Sequence, residues 1–411
     1  MGDSVTSDLS RLSPLALALR RLVTSRAVQL SLGVVAAVML MAIYAPFLCN
    51  EVALVWRDEA GLRFPVLGHL FNANEYRQGY DLWFNVLALL LPLFVVGWVL
   101  LRKRWSASRR LKYAFAIWVA TSILVTVPLG SGRAIYAERP ETRETIRAVR
   151  AVPEQARAWA VFPLFIAKPT ANYPGASLLP PGTANATTGG IHLLGTDDRT
   201  KDVLATVIYG ARVSLTIGFL STAIVLLIGV IVGAISGYFG GWVDLVLQRL
   251  VEIVMCFPSF MLILVVMSIL GPKLIYIIWV IGLTGWAGVA RLVRGEYLAQ
   301  AGRDYVLAAE SLGLSRWRIM FRHILPNVLT PLIISATFGV AGAVSSESGL
   351  AFLGLGDPDA PSWGTLLEQG RNHPLYLWLI FTPGLMIFIL VYTFNVIGTG
   401  LREALDPKGT R

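Results

Sequence analysis

Eight long runs of uncharged, mostly apolar residues divide the chain, at about 27–49, 82–101, 113–129, 213–236, 253–271, 274–290, 327–346 and 375–401. Within them polar and apolar residues do not alternate as a half-buried or barrel strand requires. About 20 helical residues at 1.5 Å each cross a hydrocarbon core of about 30 Å. An unpaired backbone amide in lipid costs several kcal/mol, so each run is predicted to be a membrane helix. The fold class expected is an all-α membrane protein, a bundle of about eight spans. Pro258, Pro383 and the pairs Gly282/Gly285 and Gly398/Gly400 are expected to kink or loosen their helices.

Between the runs the polar segments differ in texture, and they suggest an organisation. Residues 1–26 form a basic tail, 27–49 a first span, and 406–411 a short tail. Residues 50–190 hold two spans, at 82–101 and 113–129, joined by the basic link RKRWSASRR (102–110). The charged stretch 138–159 has helical spacing, and the Pro-, Gly- and Thr-rich stretch 168–190 reads as linker. Residues 191–405 carry the remaining spans, and in 191–219 a turn at Gly195 and a cap at Thr196 are expected to lead into a helix.

Composition agrees with lipid as solvent: 55% of residues are hydrophobic and 15% charged, against about 25% charged in soluble domains. The net charge of +10 invites a nucleic-acid reading, but its distribution opposes one. Segments 1–26, 102–112, 237–249, 291–326 and 402–411 hold 20 of the 35 Lys and Arg. Of the other 15, ten lie in the long stretch 131–212, where the positive-inside rule is weak. The excess therefore describes topology, with the N-terminus cytoplasmic. The first run is too long for a secretory signal core and is kept as an anchor.

The two cysteines, Cys49 and Cys256, are far apart, and the four histidines are scattered, so no metal cluster or imidazole chemistry is expected. Acids within spans are scarce, which disfavours a proton relay, and Glu252 reads as a boundary residue. No phosphate-binding G-x-x-x-x-G-K-[ST] loop occurs, so this chain is not expected to hydrolyse ATP.

One polar interval is compact and basic: AAESLGLSRWRIMFRHILPN, residues 308–327. Leu298, Ala301, Tyr305, Ala308 and Leu312 recur at helical steps, predicting one apolar face. Gly313 suits a left-handed helix end, and Ser315 is expected to cap a second short helix bearing Arg316, Arg318 and Arg322 before Pro326 opens the next span. Only 36 residues (291–326) separate the flanking spans, too few for an independent DNA-binding core. A structured connector and a docking element both remain. For docking, Ala308 and Ala309 allow close approach of a partner, and Glu310 with the arginines offers polar register.

This stretch resembles the cytoplasmic coupling loop, or EAA loop, of permease subunits in bacterial ABC importers. HLLGTDDRTKDVLATVIYGARVSL (192–215) and ESGLAFLGLGDPDAPSWGTLL (347–367) narrow the resemblance to the dipeptide, oligopeptide and nickel permeases, of the second-permease type. It covers 191–405 closely and 1–49 loosely, and the spans at 82–129 with most of 131–180 are additional. The resemblance implies a type I importer permease core in the bacterial inner membrane. It also implies ATPase coupling through 296–327, with Ala308, Ala309, Glu310, Gly313, Arg316, Arg318 and Pro326 in the loop. Glu347, Gly349, Gly354 and Gly356 would lie near an outer gate, at the start of a re-entrant external segment.

Its implied partners are a second related permease, two ABC ATPase subunits carrying ATP and Mg, an external solute-binding protein and membrane lipid, with no nucleic acid and no cofactor on this chain. Peptides or similar solutes would be the cargo, selected outside the spans. Leu307 stands where the family loop usually has Glu, and Thr200-Lys201 where relatives commonly have Gly-Arg. A passive channel or ion-coupled carrier without an ATPase is the alternative.

Overall fold

The computed structural model describes residues 25–58, 61–72, 76, 78–100 and 159–405. The expected span at 113–129, the link at 102–110, most of the charged stretch 138–159 and the tails at 1–24 and 406–411 lie outside them.

In chain order the main helices are α1 (Arg26–Ile43), α2 (Gly79–Leu100), α3 (Val203–Phe239), α4 (Gly241–Cys256), α5 (Ser259–Leu270), α6 (Leu274–Ala301), α7 (Asp304–Ser311), α8 (Leu325–Leu350), α9 (Trp363–Asn372) and α10 (Trp378–Leu405). Six helical segments among the described residues are long and apolar enough to cross a membrane, or seven if the bent pair α4–α5 is one span. The expected count of eight is therefore not reached among them. The run at 253–271, expected as one span, is broken: Phe257 is extended (ψ 132), Pro258 follows, and the two helices meet at 78°. Proline disfavours the α conformation in the residue before it, which favours the break here.

The architecture is helical with a small β component that the apolar runs do not announce. Strands β1 (Val55–Asp58), β2 (Gly61–Arg63) and β3 (Trp159–Val161) form an antiparallel sheet in the order β2-β1-β3, with Val55 opposite Val161. Thus a segment before α2 is paired with one more than 50 residues after it. A second pair joins β4 (Thr183–Ala184), in the stretch read as linker, to β5 (Ile191–His192), just beyond it.

The chain forms two compact units. The first comprises 1–36, 214–360 and 384–411. In it Gly229, Gly233 and Gly237, one turn apart on α3, face α6: a Cβ on them would come within 2.5–2.8 Å of Val289, the Ala290 carbonyl, Val293 and Tyr297. Small residues let backbones approach where lipid supplies no hydrophobic drive. At that end of α6, Arg294 donates twice to Asp244, at 2.6 Å each.

The second unit comprises 37–213 and 361–383. Its centre is Arg212, fully buried, whose Nε donates to the Ala42 carbonyl at 2.7 Å. The other guanidinium nitrogens reach Asp81 Oδ1 at 3.1 Å and Asn85 Oδ1 at 2.8 Å. Phe84 and Tyr209 present ring faces to it. Nearby, the Trp363 indole donates to the Val207 carbonyl at 2.8 Å, and Gly210 leaves room for its ring.

Thr196 does not cap α3. Its hydroxyl accepts from the Leu179 N–H and donates to the Ala176 carbonyl, and Asp202 caps the helix by accepting from the Ala205 N–H at 3.0 Å. The acid sits nearer the helix start and meets its free amides first. Thr200, in the turn before, is left-handed (φ 63), a conformation that costs a non-glycine residue about 1–2 kcal/mol. Glycine there also loses about 0.4–1 kcal/mol through unfolded-state entropy. Thr200→Gly is thus expected to stabilise the purified chain by about 0.5–1 kcal/mol, read as a higher thermal midpoint in detergent.

Candidate functional site: the hairpin between α6 and α8

The hairpin is built by two conformational breaks. The first is at Gly302–Arg303, where Arg303 is extended (ψ 150) and α6 gives way to α7. Because that break resets the helical phase, the single apolar face expected across 298–312 does not form. Tyr297, Val306 and Ala309 are buried, whereas Leu298 and Leu312 are exposed. The second break is at Gly313 (φ 72). Its N–H donates to the Glu310 carbonyl at 2.9 Å and the Leu314 N–H to Ala309 at 3.2 Å, the Schellman pattern that ends a helix through a left-handed residue.

Beyond Gly313 the expected second short helix is not separate. A helical turn, Arg316–Arg318, continues through a π-helical segment, Ile319–Ile324, into α8. Ser315 is extended but makes no side-chain cap. Pro326, expected to open the next span, lies just past the π-helical segment, within the continuous helix.

The hairpin is anchored from beneath. Val306, Ala309, Ile319, Met320, Ile324 and Val328 form one buried cluster with Val293 and Tyr297 of α6. The Tyr297 hydroxyl donates to the Met320 carbonyl at 3.1 Å. From the end of α3, Tyr238 donates to Glu310 Oε1 at 3.0 Å, and Arg316 lies over the Phe239 ring at 5.9 Å. Tyr238, Phe239 and Tyr297 were not singled out by sequence reasoning; the aromatic pair just before Gly240-Gly241 was the available signal.

What remains uncovered is an apolar ridge. Leu307 is 50% exposed, Leu312 80% and Trp317 57%, and Trp317 stacks on exposed Phe321 with centroids 5.8 Å apart. Ala308, Glu310, Gly313, Arg316, Arg318 and Pro326 lie at the surface. Ala309 does not: it faces the cluster below, so of the two alanines only Ala308 is open to a partner. Leu307 extends the ridge.

The second group of expected residues lies elsewhere in the same unit. Glu347 is buried in the last turn of α8 and accepts from Ser348 Oγ at 3.3 Å. Gly349 faces the Phe260 ring, where a Cβ would sit at 3.4 Å. From Glu347 the chain stays helical: α8 continues through a π-helical turn, Ala351–Leu355, and breaks at left-handed Gly354 (φ 88) before Gly356 extends (ψ 156). Asp357 then accepts from the Leu274 N–H at 3.0 Å, tying this exit to the first turn of α6.

Residues 229–411 match the family of binding-protein-dependent transport system inner membrane components. The dipeptide transport system permease protein DppC of Alkalihalophilus pseudofirmus is 39% identical over 219 residues, 53% of this chain and 72% of that protein. The oligopeptide transport system permease protein OppC of Bacillus subtilis is 41% identical over 220 residues, 53% of this chain and 72% of that protein. DppC of Haemophilus influenzae is 40% identical over 244 residues, covering 58% and 82%. The aligned stretches run to little more than half of this chain but most of each relative. The chain therefore belongs to the family of binding-protein-dependent transport system inner membrane components, as an ABC transporter permease subunit of the DppC/OppC type.

Proposed function

We propose that this chain is one of two permeases in an ATP-driven importer of peptides or similar small solutes, and that the ridge Leu307, Ala308, Leu312, Trp317 and Phe321 is the knob on which a partner ATPase bears. A single observation carries this reading: the hairpin is rigidly anchored beneath and apolar on top, whereas an idle polar connector has no reason to expose Leu312 and Trp317 to water. ATP and Mg belong to the ATPase pair, and an external solute-binding protein selects the cargo. The N-terminus is assigned to the cytoplasmic side by the distribution of Lys and Arg. Closure of the ATPases would push the hairpin, and its continuous path through Ile319–Ile324 into α8 would carry the push toward Glu347, Gly349, Gly354 and Gly356 at the outer end.

Two substitutions test the coupling. Leu312→Glu places a charge at the centre of the ridge and is expected to cut the ATPase recovered with the purified permease about tenfold or more, with the thermal midpoint of the permease unchanged. Gly313→Pro cannot adopt φ 72, so it is expected to leave ATP turnover running without solute movement in reconstituted vesicles. Undiminished transport by the isolated permease, without any ATPase, would decide for the channel or carrier alternative.

A further inference from the structure

Within the first unit, α4 carries an ion pair, Arg249–Glu252, at a place the sequence reading gave to the membrane boundary. Arg249 Nη1 lies 2.6 Å from Glu252 Oε2, and the two side chains are 70% and 48% exposed. Their depth is measured in two ways. Along α4, Glu252 is eight residues beyond Asp244, roughly 12 Å at 1.5 Å per residue. Across to α6, Val251 packs against Trp286, Ala287 and Ala290, and Ala287 is seven residues, roughly 10 Å, from Arg294. Asp244 and Arg294 pair with each other and so share one level. Both rulers put the Arg249–Glu252 pair about 10 Å deeper than that boundary pair, too far for a glutamate to snorkel back.

A charged pair at that depth cannot face hydrocarbon, where each ion costs about 2.5–3.5 kcal/mol even on insertion scales. Yet its face is open. Val251 alone turns inward, and most of the rest of α4 is exposed, with Trp242, Val246, Arg249, Ile253 and Cys256 following one another at helical steps. We infer that this face of α4 lines the water-filled solute pathway, and that Arg249 and Glu252 are a binding station for a zwitterionic solute, the guanidinium receiving a carboxylate and the carboxylate an ammonium. A peptide with free ends satisfies both groups while separating them from each other, and a solute with blocked ends satisfies neither. This rests on the peptide-importer reading above and assigns that cargo its contact within the membrane.

The chain contains its own reporter. Cys256 lies one turn beyond Glu252 and is exposed, whereas Cys49, the other cysteine, is buried. In the assembled transporter reconstituted in nanodiscs, a charged methanethiosulfonate is expected to label Cys256 within threefold of the rate of an uncharged reagent of equal size, because the thiol is wet. A zwitterionic tripeptide at saturating concentration is expected to slow that labelling at least threefold, and its N-acetylated, C-amidated form is not. Arg249→Gln and Glu252→Gln are each expected to raise KM for the free tripeptide about tenfold, the scale of one lost charge-assisted hydrogen bond, with little change for the blocked one. Labelling by the uncharged reagent alone would mean that α4 faces lipid or protein and overturns the station, as would equal KM changes for both peptides. If the complex shows no peptide-stimulated ATP turnover at all, the importer reading fails with the zwitterion assignment, while charged-reagent labelling of Cys256 still reports separately whether the face is wet.

Discussion

Arg212→Met is expected to prevent accumulation of a folded chain. The guanidinium is fully buried and bonded to the Ala42 carbonyl, Asp81 and Asn85, so it joins the end of α1 and the first turns of α2 to α3. Methionine fills much of the volume but donates nothing. Asp81 and the carbonyl would then be left without their cation, and removing one partner of a buried pair costs about 3–5 kcal/mol. Marginal stability of about 5–15 kcal/mol leaves little after such a loss. Size-exclusion profiles of the detergent-solubilised protein should show the monodisperse peak falling severalfold. Arg212→Lys should rescue little, since an ammonium cannot reach three separated acceptors with the geometry of a fork. A normal peak for both variants would mean that the buried cluster holds without its centre.

Gly233→Leu is the second large effect, and its mechanism is steric. A Cβ at position 233 would stand 2.5 Å from the Ala290 carbonyl oxygen and 2.7 Å from the Val293 Cβ, both on a helix that cannot yield locally. Overpacking of this kind costs about 1–3 kcal/mol in well-packed cores, and a leucine adds three further carbons to the clash. The α3–α6 contact must open, and the hairpin hangs from α6 through Tyr297. Gly233→Leu is therefore expected to lower both the thermal midpoint and ATPase recovery, whereas Leu312→Glu lowers only the latter. Gly288, on α6 itself, has open space around its Cβ position, so Gly288→Ala serves as a control and should be nearly neutral. Equal behaviour of the two glycine variants would remove the stripe from the account.

Much of this molecule is legible without coordinates because lipid is an exacting solvent. A run of uncharged residues at 213–236 or 375–401 has only one low-energy way to satisfy its amides, so helix and membrane follow together from composition and length. Gly313 is legible for a similar reason, since few residues tolerate a left-handed helix end. The Pro258 break was half legible: a kink was expected, but its 78° bend also depends on what α4 and α5 pack against.

Other features depend on neighbours remote in sequence. Arg212 looks like one more external charge until Asp81 and Asn85, more than 120 positions away, are folded around it. The buried face of the hairpin moves from Ala308 to Ala309 because Gly302 and Arg303 interrupt the helix, and a periodicity count runs through such a break unaware of it. The cap of α3 passes from Thr196 to Asp202 because Thr196 is taken up by Leu179 and Ala176. The sequence by itself determined the solvent, the helices and the place of the hairpin, since these are set by local backbone chemistry. Which side chains are buried, paired or presented was decided by tertiary structure, because each depends on a partner that sequence distance conceals.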